Sequence, residues 1–203
     1  PPRYLNLFEV VPGPDCKKEI LDFLLDYGEK FLGKTSVLAK DTPAFIGNRI
    51  GIFGIMSLFH QIKNGEYSVE EVDKLTGPAI GRPKSATFRT ADIAGLDTMC
   101  HVANGVYEKC KDDESREVFK LPDFLQKMLD SNMLGSKTGK GFYKKIKDDN
   151  GKSKILALDL NTFKYNEQKK VNYETLKNAK KCKKRDEKFK TLIGGNDKAS
   201  EFY

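Results

Sequence analysis

The sequence predicts a mainly α protein: a helical bundle preceded by a β-α-β unit and followed by a small β-hairpin. Three observations carry that prediction. Apolar residues recur at helical spacing from position 43 almost to Gly141. Ahead of them, two short apolar runs flank one amphipathic stretch of about fifteen residues, the pattern of a parallel crossover. Beyond Tyr143 the chain turns lysine-rich, with two short strand-like runs on either side of Asp149-Asn150-Gly151.

The first run, Leu5-Asn6-Leu7-Phe8-Glu9-Val10-Val11, is bounded by prolines and reads as a strand. Pro12-Gly13-Pro14 breaks it. A helix is then predicted over 17–31, with Ile20, Phe23, Leu24, Tyr27 and Phe31 at helical spacing and Gly33 past its end. Thr35-Ser36-Val37-Leu38-Ala39 is the second strand. Two strands cannot make a stable parallel sheet, so the rest of the sheet is expected outside this chain.

Lys40-Asp41-Thr42-Pro43-Ala44-Phe45-Ile46-Gly47-Asn48-Arg49 reads as a helix start, with Asp41 and Thr42 as capping acceptors and Pro43 where a missing N–H costs nothing. That helix is expected to reach about position 63, closed by Asn64-Gly65. Asn48 then falls in its second turn, a polar amide among Phe45, Ile46, Ile50 and Ile52, and spacing alone makes it an exposed or capped residue. Ser68 and Glu71 have capping-box spacing for a short helix through Leu75. Gly77 to Pro83 is a rigid loop. Ser85 is the expected cap of a helix ending at Ala94 before Gly95. Further helices are expected over 97–111 and 122–131, making five in all. Three glycines within Gly135-Ser136-Lys137-Thr138-Gly139-Lys140-Gly141 imply a backbone that approaches something closely. The order is not that of a phosphate-binding P-loop. After the hairpin, 166–185 reads as a loosely packed basic connector, 187–193 as a helix, and 198–203 as the start of another.

Bulk composition narrows the function classes. The 203 residues are 38% hydrophobic and 32% charged, enough for one domain or two small ones. No apolar run approaches the roughly 20 residues that span a bilayer, so no membrane role is expected. Cys16, Cys100, Cys110 and Cys182 lack metal-ligand spacing, and His60 and His101 are the only histidines; no metal site is expected, and a reducing, cytoplasmic compartment fits. Neither histidine reads as a catalytic base. The net charge of +7 lies in the tail: residues 1–143 hold 19 basic and 20 acidic side chains, 144–203 hold 17 and 9. A basic tail alone does not make a nucleic-acid binder, and no stacking or helix-turn-helix pattern supports one. The first residue is Pro, so the chain reads as a piece of a longer protein.

Four stretches, in order and in register, resemble the 3-hydroxyacyl-CoA dehydrogenase family: the opening proline with its strand and Glu9, Lys40 to Arg49, Gly95-Leu96-Asp97-Thr98, and Lys137-Thr138-Gly139-Lys140-Gly141-Phe142-Tyr143. The resemblance covers residues 1–143; beyond it the chain resembles, less specifically, the extra segment of longer, multidomain bacterial-type members. It implies that 1–40 is the C-terminal edge of a missing Rossmann dinucleotide-binding domain, 41–143 the helical C-terminal domain, and 144–203 a hairpin, basic connector and start of a further helical segment. The implied activity is NAD-dependent oxidation of (S)-3-hydroxyacyl-CoA in fatty-acid β-oxidation, with acyl-CoA as substrate, NAD as cofactor and a homodimer formed through the helical domain. The family pattern has Gly-Pro-Phe where this chain has Ser85-Ala86-Thr87-Phe88.

By the same resemblance Glu9 is the carboxylate that orients a catalytic histidine, which the family pattern places just before Pro1. Asn48 is the amide that donates to the substrate oxygen, and Lys137 is the lysine that reaches the nicotinamide cofactor. Without the glycine-rich loop and that histidine, the 203 residues are expected to be inactive alone. Asp41 is expected to cap and Arg49 to pair with a neighbouring carboxylate or backbone carbonyl. The rival reading is a non-catalytic helical assembly module.

Overall fold

A computed structural model describes residues 5–62, 65–147 and 150–203. In chain order its elements are β1 (Leu7–Val10), α1 (Lys18–Lys30), β2 (Thr35–Leu38), α2 (Gly47–Ile62), α3 (Val69–Thr76), α4 (Phe88–Ala94), α5 (Leu96–Lys109), α6 (Asp123–Asp130), β3 (Tyr143–Lys147), β4 (Ser153–Leu158), β5 (Tyr165–Glu167), α7 (Glu174–Lys181), α8 (Arg185–Ile193) and α9 (Lys198–Phe202). Short 3-10 turns lie at Pro78–Ile80, Arg116–Phe119 and Ser136–Thr138. The fold is mainly helical, as the periodicity predicts. Among the described residues no helix is long and apolar enough to cross a membrane. The chain forms two compact units, Pro1–His60 with Cys100–Leu121, and Gln61–Met99 with Pro122–Tyr203.

In the first unit β1 and β2 pair in parallel, Glu9 opposite Val37. The Ser36 hydroxyl donates to the Leu25 carbonyl at 2.8 Å and ties α1 to β2. The stripe predicted from spacing is not the packed one: Ile20 is 50% exposed, Phe23 61% and Phe31 72%. Phe23, Tyr27 and Phe31 instead stack in a ladder with centroids 5.8 and 5.4 Å apart. Leu24 alone of that stripe is half-buried, and it is covered together with Leu21 and Leu25.

The start of α2 departs from the sequence reading. It begins at Gly47, not Pro43, and neither Asp41 nor Thr42 caps it. Residues 43–46 form a turn in which Ala44 (φ +63°) and Phe45 (φ +47°) are left-handed. Such backbone costs an L-residue roughly 1–3 kcal/mol and needs support from its surroundings. Ile52, Met56 and Phe59 then supply a buried face. Arg49 pairs with Asp113, so of the two kinds of partner expected it takes the carboxylate. His60 Nε2 lies 2.9 Å from the Lys120 carbonyl and 3.1 Å from that of Val118.

In the second unit the capping box of α3 forms as predicted: the Glu71 amide donates to the Ser68 hydroxyl and the Ser68 amide to the Glu71 carboxylate. The cap of α4 is not Ser85. Asp73, reaching across from α3, accepts from the Thr87, Phe88 and Arg89 amides at 3.0, 2.6 and 3.2 Å. A carboxylate is the stronger acceptor for the positive end of a helix. Phe88 and Phe142 are both fully buried with ring centroids 4.2 Å apart.

Two expectations for the tail are corrected. The hairpin β3–β4 is antiparallel, but β5 adds to β4, giving a three-stranded sheet. The connector is not loose: α7, α8 and α9 bury Leu176, Ala179, Leu192 and Ala199 in one cluster with Leu75 of α3. Apolar side chains spaced among lysines were enough to pack the segment. The expected turn residue Asp149, the helix end at Asn64 and the opening proline pair lie outside the described residues.

Candidate active site

Glu9 stands on the middle of β1, half-buried. Its Oε1 accepts from the amides of Ile46 at 2.7 Å and Gly47 at 3.0 Å, the first free donors at the start of α2. Its Oε2 makes no hydrogen bond among the described residues. Glu9 therefore replaces the predicted caps Asp41 and Thr42 and pins the left-handed turn that precedes the helix. Asn48 is the second residue of α2, in the first turn rather than the second, and is exposed. The strand carboxylate thus bonds the amide of Gly47, the residue just before Asn48, at the N-terminus of α2.

Lys137 lies in the 3-10 turn Ser136–Thr138 of the second unit. Its ammonium pairs with the Asp97 carboxylate at the start of α5, which holds that carboxyl below the usual carboxylate range. The glycine-rich segment that carries it closes around Asp92 of α4. A Cβ on Gly135 would come within 2.3 Å of the Asp92 carbonyl, and one on Gly141 within 2.1 Å of Asp92 Oδ1. The close approach inferred from the glycines is therefore to Asp92. The carboxylate accepts from the Phe142 and Tyr143 amides, both at 2.8 Å. Burial, only partly offset by these two donors, pushes its pKa up to about 6.

Sequence reasoning missed Asp92 and Asp73. Both had a legible signal, an acid at helical spacing on an otherwise apolar face: Phe88, Ala91 and Asp92 on α4, Val69, Val72 and Asp73 on α3. Tyr143 links them, its hydroxyl donating to Asp73 at 2.8 Å and its amide to Asp92. Burial and the Asp73 carboxylate raise the Tyr143 pKa.

Residues 45–145 match the model of the 3-hydroxyacyl-CoA dehydrogenase C-terminal domain. Over 199 residues the chain is 48% identical to a probable 3-hydroxyacyl-CoA dehydrogenase of Bacillus subtilis, covering 98% of this chain and 24% of that protein. The chain belongs to the 3-hydroxyacyl-CoA dehydrogenase family. A probable 3-hydroxyacyl-CoA dehydrogenase of Deinococcus radiodurans is 42% identical over 76% of this chain and 44% of its own length. The crystal structure of the (S)-3-hydroxybutyryl-CoA dehydrogenase PaaH1 from Ralstonia eutropha superposes with a TM-score of 0.60 at 27% identity, over 68% of this chain and 47% of that one. The chain spans a quarter to just under half of the length of these dehydrogenases. Within Ser85-Ala86-Thr87-Phe88, Ala86 has left-handed backbone (φ +49°), a conformation that a glycine adopts without strain.

Proposed function

We propose that this chain is the C-terminal, mainly helical part of a cytoplasmic NAD-dependent (S)-3-hydroxyacyl-CoA dehydrogenase of fatty-acid β-oxidation, inactive by itself. Residues 1–40 would be the edge of a dinucleotide-binding domain, 41–143 the helical domain with its dimer surface, and 144–203 an appended segment. The observation that carries the reading is the junction of Glu9 with the first turn of α2. One carboxylate oxygen is spent on the helix amides, and the other has no partner among the described residues. It is available to a donor such as an imidazole N–H. Asn48 offers its amide NH2 one residue beyond, at the positive end of a sixteen-residue helix.

In this role Glu9 orients and stabilises a protonated histidine supplied by the longer protein. Asn48 donates to the substrate oxygen as it changes between hydroxyl and ketone. NAD, when bound, supplies the hydride acceptor. The described residues do not themselves form a dinucleotide cradle: the turn from β1 to α1, residues 11–17, holds one glycine, and the backbone approach of a G-x-G-x-x-G loop is missing there. Lys137 is the one position assigned to the cofactor, and it is held by Asp97.

The test is Asn48→Ala in the longer protein, assayed with acetoacetyl-CoA and NADH. Turnover should fall on the order of 100-fold or more with the fold unchanged, as for loss of an oxyanion donor. Unaltered kinetics would favour the non-catalytic assembly module instead. Turnover by the isolated 203 residues would contradict the division of labour proposed between the two parts.

A further inference from the structure

A cleft of about 610 Å³ opens in the second unit between α3, the start of α4 and the segment 168–172 that leads into α7. Five cationic side chains line it: Lys74, Lys84, Arg89, Lys169 and Lys170. Two carboxylates also reach it, Glu70 and Asp73. Both are already engaged, Glu70 by the Lys169 amide at 3.0 Å and Asp73 by three amides and the Tyr143 hydroxyl. None of the five cations makes an ion pair among the described residues. The cleft thus carries an excess of positive charge that the protein does not neutralise.

A lysine-rich surface alone would mean solvated lysines, and Arg89 is what separates this cleft from one. Its guanidinium lies 4.3 Å from the centroid of the Tyr143 ring. That ring is fixed at its far end by the hydroxyl bond to Asp73, so Arg89 lies over an anchored ring. The side chain nevertheless gives none of its five N–H donors to a hydrogen bond or ion pair among the described residues. A planar guanidinium over a fixed ring, with its donors unspent and ammonium groups without ion pairs in the same cleft, suits the bidentate geometry of phosphate oxygens. We propose that this cleft binds a phosphate-bearing anion, with Arg89 as the fork on the phosphoryl oxygens and the lysines as its electrostatic surround. The proposal is independent of the dehydrogenase reading, since it uses neither Glu9, Asn48 nor Lys137. The phosphates can come from coenzyme A or from a free polyphosphate.

The test is calorimetric titration of the full 203-residue chain at 150 mM salt with inorganic pyrophosphate and, separately, with coenzyme A. Saturable binding of at least one is expected. Arg89→Ala should weaken it at least tenfold. Arg89→Lys, which keeps the charge and loses the fork, should weaken it at least fivefold, and it decides the matter if the alanine variant does not fold. Lys145→Ala with Lys147→Ala on exposed positions of β3 should leave affinity within twofold. Tighter binding of coenzyme A with the same Arg89 dependence assigns the phosphates to the coenzyme; tighter binding of pyrophosphate assigns them to a free anion. No saturable binding of either probe, or an Arg89 variant no weaker than the β3 control, overturns the proposal.

Discussion

The Glu9 carboxylate accepts from the Gly47 amide at 3.0 Å, joining the middle of a strand to the first residue of a helix 38 positions away. With the Ile46 bond it holds a turn in which two non-glycine residues are left-handed. Net of the bonds exchanged with water, a hydrogen bond to a charged group contributes about 1.5–3 kcal/mol. Glu9→Ala should therefore destabilise the chain by about 2 kcal/mol, and Glu9→Gln, which keeps a neutral acceptor, by about half as much. Urea unfolding reads both. A loss under about 0.5 kcal/mol for the alanine variant would mean that the turn is held by other contacts.

Around Asp92 the prediction is steric. Gly141→Ala places a methyl group against the Asp92 carboxylate, and Gly135→Ala places one against its backbone in a left-handed conformation. Each should cost about 2–4 kcal/mol. Gly139→Ala is the control: it too is left-handed, but no atom lies within 4 Å of its added Cβ, so only the backbone term of about 1–2 kcal/mol remains. A Gly135→Ala loss no larger than that of Gly139→Ala would show that strain, and not contact with Asp92, makes Gly135 necessary.

Asp92 also makes a pH prediction. Burial raises its carboxyl to about 6 in the folded chain, against 3.8 unperturbed. The folded state therefore binds more protons than the unfolded state in that interval, and stability from this group falls as pH rises. It is fully present below about pH 4 and lost through pH 6, at most about 3 kcal/mol. Asp113 and Asp97, whose pKa values are lowered by Arg49 and Lys137, act in the opposite direction in more acidic solution. The comparison is thus with Asp92→Asn: its stability should decline less between pH 4 and 7 than that of the unmodified chain. Parallel profiles would remove Asp92 as the titrating group.

The helices, the parallel pair and the capping box of α3 were legible because period, proline and short-range acceptors are local properties. What was not legible was long-range replacement of a local signal. Asp41, Thr42 and Ser85 are sound caps by position, yet Glu9 and Asp73 reach the two helix starts from other elements and are stronger acceptors. The stripe of α1 failed for a related reason. Spacing identifies a face, but only contacts decide which face is covered, and Phe23 and Phe31 stack on Tyr27 in the open. Glu9 and Asn48 stand out by resemblance, and only the fold brings both to one helix N-terminus. Lys137 was found with its motif, whereas its partner Asp97 was read only as part of another.

The tail gives the last prediction. Its lysines make it look like a solvated connector, but Leu192 is 1% exposed and shares a cluster with Leu75, Leu176, Ala179 and Ala199. Tyr203 strengthens the attachment by donating its hydroxyl to the Leu75 carbonyl at 2.7 Å. Removing three buried carbons from such a cluster leaves a cavity as well as a lost transfer term, so Leu192→Ala should cost about 2–4 kcal/mol. The neighbouring Ile193, 64% exposed on the same helix, should cost under about 0.5 kcal/mol when replaced by Ala. Urea unfolding of the two variants, with cleavage by a low dose of trypsin after the tail lysines as a second readout, separates a packed segment from a tether. Protection of the tail in the unmodified chain and its loss in Leu192→Ala are the expected pair. Equal stability of both variants, with rapid cleavage in the unmodified chain, would make α7 to α9 a peripheral attachment and not part of the core of the second unit.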